Sequence, residues 1–282
     1  MSDVLELYGN AISLDELNWV EIIQQQGCPY LKRPCTKTRK SVPDLTIGTC
    51  SVLYGKDNKQ ILICPNRLLE RGQIFLDCIH LLTLHEPGNE LHIVSEITVP
   101  GGSVDYFLVS MRDQQVVDFV GIELQTLDTT GTVWPARQRF LNNKNIAVDS
   151  ADLESNKGFG MNWKMTAKTI LMQLNHKIET FENLNKHLVL VVQNHLLDYM
   201  QREFRFEHLN NARLGDSMHI HSYSLNQNDT FSYRLRLNQR FSTDANGIAH
   251  SLGLQADPNV TLEQMLDLLK TKISQETLFT LK

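Results

Sequence analysis

Asp105, Glu123 and Gln125 lie in two short segments, Gly101-Gly102-Ser103-Val104-Asp105 and Gly121-Ile122-Glu123-Leu124-Gln125, whose residue types suit phosphodiester hydrolysis. Strand side chains alternate, so Glu123 and Gln125 point to one side of their strand. Asp105 opens the preceding strand, and a hairpin lets it reach the space in front of Glu123. Two carboxylates meeting at a strand end form a hard-cation site suited to magnesium, which completes its shell with water and phosphate oxygens. A metal held there activates water and neutralises charge on a phosphodiester under in-line attack. Glu96, nine residues before Asp105, is a possible outer carboxylate, whereas Asp118 and Asp128 are less suited by position. The bland alternative is a pair of surface carboxylates flanking a buried strand.

A second chemistry-bearing group is made of cysteines. Four of the five, Cys28, Cys35, Cys50 and Cys64, fall within 37 residues and are flanked by Gly27, Pro29, Pro34, Gly48 and Pro65. Glycine and proline favour tight turns, which let thiolates converge on one tetrahedral centre. Four thiolates suit zinc, or iron in a rubredoxin-like site. The spacing departs from a zinc ribbon: six, fourteen and thirteen residues intervene, with no CxxC pair. Four unrelated buried thiols are the competing reading. Cys78 falls in Gln73–His85 with Ile74, Leu81 and Leu82 at helical spacing, so it is expected in a core; His80 and His85 on the same segment are not expected to bind metal.

The elements that must position these groups can be read in outline. Ser13-Leu14-Asp15-Glu16 has the form of a capping box opening a helix to about Gln26, which Gly27 ends. The cysteine region carries Lys32, Arg33, Lys37, Arg39 and Lys40, either a solvated loop or one that contacts phosphate. Val104–Val109 and Val117–Leu124 are strand-like runs joined by Arg112-Asp113-Gln114-Gln115, an antiparallel hairpin. A helix bearing Trp163, Ala167, Ile170, Leu171, Leu174 and Ile178 on one face then leads to the strand Leu188–Val192, which implies a parallel pair. Met218–Leu225 and Phe231–Phe241 form a further hairpin across Asn226–Asp229. Its second strand alternates apolar residues with Arg234, Arg236 and Arg240, a solvated face or a DNA-facing one. Thr261-Leu262-Glu263-Gln264 caps a last helix, with Met265, Leu268 and Leu269 for docking.

The whole is an α/β protein with a mixed sheet flanked by helices. The expected regions are 1–90 (N-terminal helix and cysteine segment), 91–205 (catalytic core) and 206–282 (C-terminal hairpin and helix), together one composite domain. At 282 residues, 41% hydrophobic and 21% charged, the composition excludes a disordered or fibrous chain. The net charge of −5 argues against a purely electrostatic nucleic-acid binder but leaves room for one basic face. The apolar runs fall short of the ~20 residues that span a bilayer, and Met1-Ser2-Asp3 does not begin a secretory leader, so the expected setting is the cytoplasm.

An acid opening one strand, followed by acid-x-lysine on the next, is the pattern of PD-(D/E)XK nucleases, with Gln125 here in place of the lysine. Taken together, Cys28-Pro29-Tyr30 with Cys35, Gly48-Thr49-Cys50, Ile63-Cys64-Pro65-Asn66-Arg67, Gly101–Tyr106, Gly121–Thr126 and Asn162-Trp163-Lys164-Met165 make the chain resemble the NotI-type restriction endonucleases over most of residues 20–200. The resemblance implies a magnesium-dependent homodimer that cuts double-stranded DNA within GC-rich palindromes. It implies Asp105, Glu123 and Gln125 as the catalytic set, with Asp105 and Glu123 on magnesium, since the family itself uses glutamine at the third position. It also implies a structural iron, in preference to zinc, on Cys28, Cys35, Cys50 and Cys64. Lys164 is a candidate for the positive charge that Gln125 lacks. Arg137, Arg139 and the arginines of the C-terminal hairpin are candidate base readers. The rival readings are a repair or modification-dependent nuclease on the same core, and a metal-stabilised DNA-binding or interaction module without activity.

Overall fold

The computed structural model describes residues 3–39, 42–155, 157–230, 232–253 and 261–271. The chain begins with β1 (Asp3–Leu7) and β2 (Asn10–Ala11), passes through α1 (Trp19–Gln25), and returns as β3 (Thr49–Tyr54) and β4 (Lys59–Leu62). These four strands form an antiparallel sheet in the order β2-β1-β3-β4. Helix α1 starts later than the Ser13–Glu16 box suggests. Its cap is Asn18, whose side chain accepts from the Glu21 amide at 3.3 Å, and Gln26 (φ 47°) ends it.

The larger sheet has seven strands. They are β5 (Glu90–Val99), β6 (Gly102–Arg112), β7 (Gln115–Gln125), β8 (His187–Gln193), β9 (Asn210–Asn211), β10 (Met218–Gln227) and β11 (Tyr233–Thr243), in the order β9-β11-β10-β8-β7-β6-β5. The β6–β7 hairpin is the one the sequence predicts. Asp113 and Gln114 at its tip both have positive φ (49° and 62°), the twist that suits a two-residue connection. Strand β8 lies parallel to β7 and to β10, while the other neighbours are antiparallel, so the sheet is mixed. It runs without interruption across residue 205, because β10 pairs directly with β8.

Helices α2 (Trp134–Asn143), α3 (Trp163–Asn183), α4 (Asn194–Glu203), α5 (Ala245–Ser251) and α6 (Leu262–Lys270) complete the frame. One face of the sheet is covered by α3, α4 and α5 through Ile170, Leu174, Ile178, Phe181, Leu197 and Ile248. The other face is covered by the 65–82 segment through Leu68, Ile74, Phe75, Cys78 and Leu81. That segment is a series of short helical turns in place of the single helix predicted for Gln73–His85. The predicted capping box on α6 is present, with Thr261 and Gln264 bonded reciprocally, but Met265 is exposed among the described residues. Lys40 and Phe231 lie outside the described residues, as do the side chains of Leu268 and Leu269.

A candidate nuclease active site

Asp105 lies in β6 and Glu123 and Gln125 in β7, where Tyr106 pairs with Ile122. The hairpin register therefore brings the two acids to one end of the sheet, on the face covered by α3. Asp105 Oδ2 accepts from the Leu124 amide at 2.8 Å, which ties the first acid to the strand carrying the second. Glu96 of β5 stands opposite Asp105 in register and adopts φ 55°, a conformation costly for a residue with a Cβ. Its carboxylate is close enough to Asp105 to raise that acid's pKa. Gln125 is half-buried, and its amide donates to the Thr126 carbonyl at 2.6 Å.

The side chain that sequence reasoning missed is Lys177. It is 4% exposed, and its Nζ donates to Glu123 Oε1 and to the Ser103 carbonyl, each at 2.5 Å. The turn between β5 and β6 makes this possible. Gly101 and Gly102 have φ of 94° and 133°, and a methyl group at Gly101 would overlap the His176 carbonyl oxygen. Only glycine lets the turn press against α3 closely enough for Lys177 to reach Ser103. The available signal was a lysine in register with the apolar face of the predicted helix, three residues after Leu174 and one before Ile178. Lys164, the lysine singled out beforehand, is exposed and makes no contact with the acids among the described residues.

The site holds more negative charge than its donors satisfy. Burial pushes the Glu123 carboxyl up to about 7; Lys177 opposes the shift and Asp105 adds to it. Burial likewise raises Asp105, against the Leu124 amide and Lys177, and Glu96 raises it further. A buried carboxylate group crowded by other acids is relieved by a cation, so the donor chemistry suits magnesium. Asp118 and Asp128 are spent elsewhere, on Lys186 with the Leu84 amide and on Thr166.

The four cysteines form a second neighbourhood. Cys28, Cys50 and Cys64 are buried and Cys35 is half-buried, with no disulfide among them. Burial raises the Cys64 thiol, and Cys35 and Cys28 raise it further; Cys50 is raised by burial and then by Cys64. Cys64 is thus within electrostatic reach of each of the other three, and thiols suit a thiophilic ion. Among the described residues, however, no group of three or more His, Cys, Asp or Glu side chains is arranged to hold a metal. Cys78 is fully buried in the core, as expected. His85 bonds to Ser110, and His80 stacks on His221.

The basic residues divide into free and committed ones. Lys32 and Arg33 are exposed beside the hairpin, and Arg33 is within electrostatic reach of Tyr106. Lys32, Tyr30, Arg71, Ile93 and Tyr106 help to line a cavity of about 580 Å³ between the cysteine loop and the hairpin. Lys37 donates to the Ile63 carbonyl, and Arg39 pairs with Asp152. Arg137 is not available to read bases: it is 1% exposed and bonded to the Ile47 carbonyl, Gln138 and Tyr8. Arg234 and Arg240 are tied to Glu70 and Asp77, whereas Arg236 is exposed with no carboxylate partner among the described residues. Arg139 is exposed too, with one long bond to the Ser155 carbonyl. No helix among the described residues is long and apolar enough to cross a membrane.

No curated protein and no solved structure gives a significant match to the chain. One family does, described as "Restriction endonuclease NotI", over residues 22–233. That span takes in the cysteine segment, the paired acids and Lys177, and it covers well over half of the 282 residues. The chain belongs to the NotI restriction endonuclease family.

Proposed function

We propose that the protein is a type II restriction endonuclease of PD-(D/E)XK type. In this reading it hydrolyses phosphodiester bonds of double-stranded DNA, at a GC-rich palindrome, as a magnesium-dependent homodimer leaving 5′-phosphate and 3′-hydroxyl ends. The observation that carries the reading is the meeting of Asp105, Glu123 and Lys177 at one sheet end, with the acids' pKa values raised. Perturbed acids that raise one another's pKa mark a candidate for a site built for charge that arrives with a ligand.

Asp105 and Glu123 would hold magnesium, which when bound acidifies water and neutralises phosphate charge. Glu96 supports the pair from the neighbouring strand. Gln125 orients the attacking water by hydrogen bonds, because an amide adds no charge. Lys177 supplies that charge from α3 and keeps the Glu123 carboxylate aimed at the site. Cys28, Cys35, Cys50 and Cys64 would hold a structural iron or zinc that stiffens the loop bearing Lys32 and Arg33. Those two residues, with Arg236, are the exposed cations best able to meet DNA. Lys37 and Arg39 serve the loop itself through the bonds described above.

Digestion of phage and plasmid DNA tests the activity. With magnesium the protein is expected to give discrete fragments whose ends read out the site. EDTA or Glu123→Ala should abolish them. Binding without cleavage on both unmodified and methylated DNA would instead favour a DNA-binding module. Elemental analysis of the purified protein tests the cysteines. One iron or zinc per chain, lost in Cys50→Ser and kept in Cys78→Ser, is expected; a metal-free native protein would remove that part of the proposal.

A further inference from the structure

Strand β5 is the terminal strand of the seven-stranded sheet and pairs with β6 alone, so its outer row of amides and carbonyls has no strand partner among the described residues. All ten residues except Val99 are exposed, and Leu91, Ile93, Val94 and Ile97 are 40%, 53%, 38% and 39% accessible. The strand contains neither proline nor lysine, the residues that commonly protect such edges. A long edge that carries four exposed apolar residues among polar ones is a template for a strand whose side chains match that pattern.

We propose that this edge pairs with the same edge of a second copy, antiparallel about Val94, so that two seven-stranded sheets become one. The proposal deepens the homodimer part of the reading above by naming its surface. The strand's own pattern selects the occupant and the register. Pairing about Val94 sets Leu91 against Ile97 and His92 against Glu96, matching apolar with apolar and base with acid. A slip of one residue sets Glu96 against Leu91 or Ile93, and pairing about Ile93 sets Glu90 against Glu96. The matched register is self-complementary, as an isologous two-fold interface requires.

The geometry has a consequence for cleavage. The two-fold axis of an antiparallel pair is normal to the sheet, so both copies turn the face bearing Asp105 and Glu123 to the same side. Strand spacing and rise then separate the two Asp105 positions by on the order of 20 Å. Two sites on one face can address the two strands of a single duplex. The partner's His92 would lie beside Glu96, opposite Asp105, and make the site partly shared.

Two measurements on the full-length protein test this without relying on cleavage. Val94→Cys, oxidised, should form a disulfide-linked dimer in high yield, while Val116→Cys, exposed but two strands in from the edge, should not. Leu91→Lys with Ile93→Lys should sediment as a monomer with an unchanged melting temperature, where the wild type sediments as a dimer. On supercoiled plasmid the monomeric variant should nick and linearise poorly. A wild-type monomer, a Val94→Cys dimer that fails to cross-link, or a lysine variant that remains dimeric would each overturn the proposal. A cross-linked dimer that cuts no DNA would leave the interface standing and count against the nuclease reading.

Discussion

Arg67 and Lys177 are both buried cations set against two acids, yet they end in opposite electrostatic states. The Arg67 Nε reaches both Glu6 oxygens, at 3.1 and 3.0 Å, while its other nitrogens reach Glu70 at 2.9 Å and the Tyr233 carbonyl at 3.0 Å. Glu70 also accepts from Arg234 and from the Leu235 amide, and Glu6 accepts from Ser51. Burial pushes Glu70 up, but Arg67, the amide and Arg234 together hold it below its ordinary range. At the other end of the comparison Glu123 has Lys177 as its donor, and burial wins. The difference is the number of donors per acid. A saturated network ties β1, the 65–72 turn and β11 together and has no further capacity. An unsaturated one leaves acids short of donors, which is what the proposed magnesium site requires.

The largest expected effect separates the two regions outright. Glu123→Gln keeps the shape and removes the charge, so cleavage should fall about a thousandfold, the size of losing several kcal/mol of charge stabilisation. Thermal stability should change little, because relief of the raised Glu123 ionisation offsets the loss of the carboxylate facing Lys177, whose Nζ keeps the Ser103 carbonyl. Arg67→Met should do the reverse. It strands Glu6 and Glu70 in the interior and should cost about 3–5 kcal/mol in urea unfolding, while the folded fraction cleaves normally. If Arg67→Met lost activity at full folding, the division between structural and functional pairs would fail.

Lys177→Met sharpens the contrast. Single-turnover cleavage should drop about a hundredfold, as for loss of one preorganised donor. Manganese binding, followed by electron paramagnetic resonance, should tighten because an internal competitor for Glu123 has gone. Weaker manganese binding in a folded variant would show that Lys177 only shapes the site. A pH series probes the opposite face of the sheet, where burial pushes His219 down to about 4 and His221 down to about 3. Both lie below the unfolded value of about 6.5, so below that pH the unfolded chain takes up protons that the fold refuses. The melting temperature should therefore fall as pH drops from 6.5 toward 4, and His219→Gln with His221→Gln should flatten the slope. The smallest effect belongs to the loop. Arg33→Ala should weaken DNA binding on all sequences alike and lower the salt slope by about 1.

The acid pair was legible in the sequence because a hairpin is a local object. Period-two alternation, a polar tip at Asp113-Gln114 and the register that follows from it bring Asp105 toward Glu123 without reference to the rest of the chain. The long helix α3 was legible for the same reason, since its apolar face repeats at helical spacing over 21 residues. The first helix was misjudged at its start because two capping signals compete, and Asn18 prevails over Ser13 once Trp19 must reach the core beside Phe140.

What the chain could not disclose residue by residue is what distant segments do to each other. Lys177 becomes part of the site only because a diglycine turn lets α3 approach Ser103, 74 residues away in sequence. Arg137 looks like a DNA-reading arginine until packing buries it against Tyr8, 129 residues away. Arg234 and Arg240 were read as one basic face, and the tertiary structure committed both to carboxylates from the 65–82 segment. Local periodicity and turn chemistry act over a few residues and are written in order along the chain. Burial, and with it every charge balance in the interior, depends on which remote groups share one low-dielectric space, and only the assembled fold decides that.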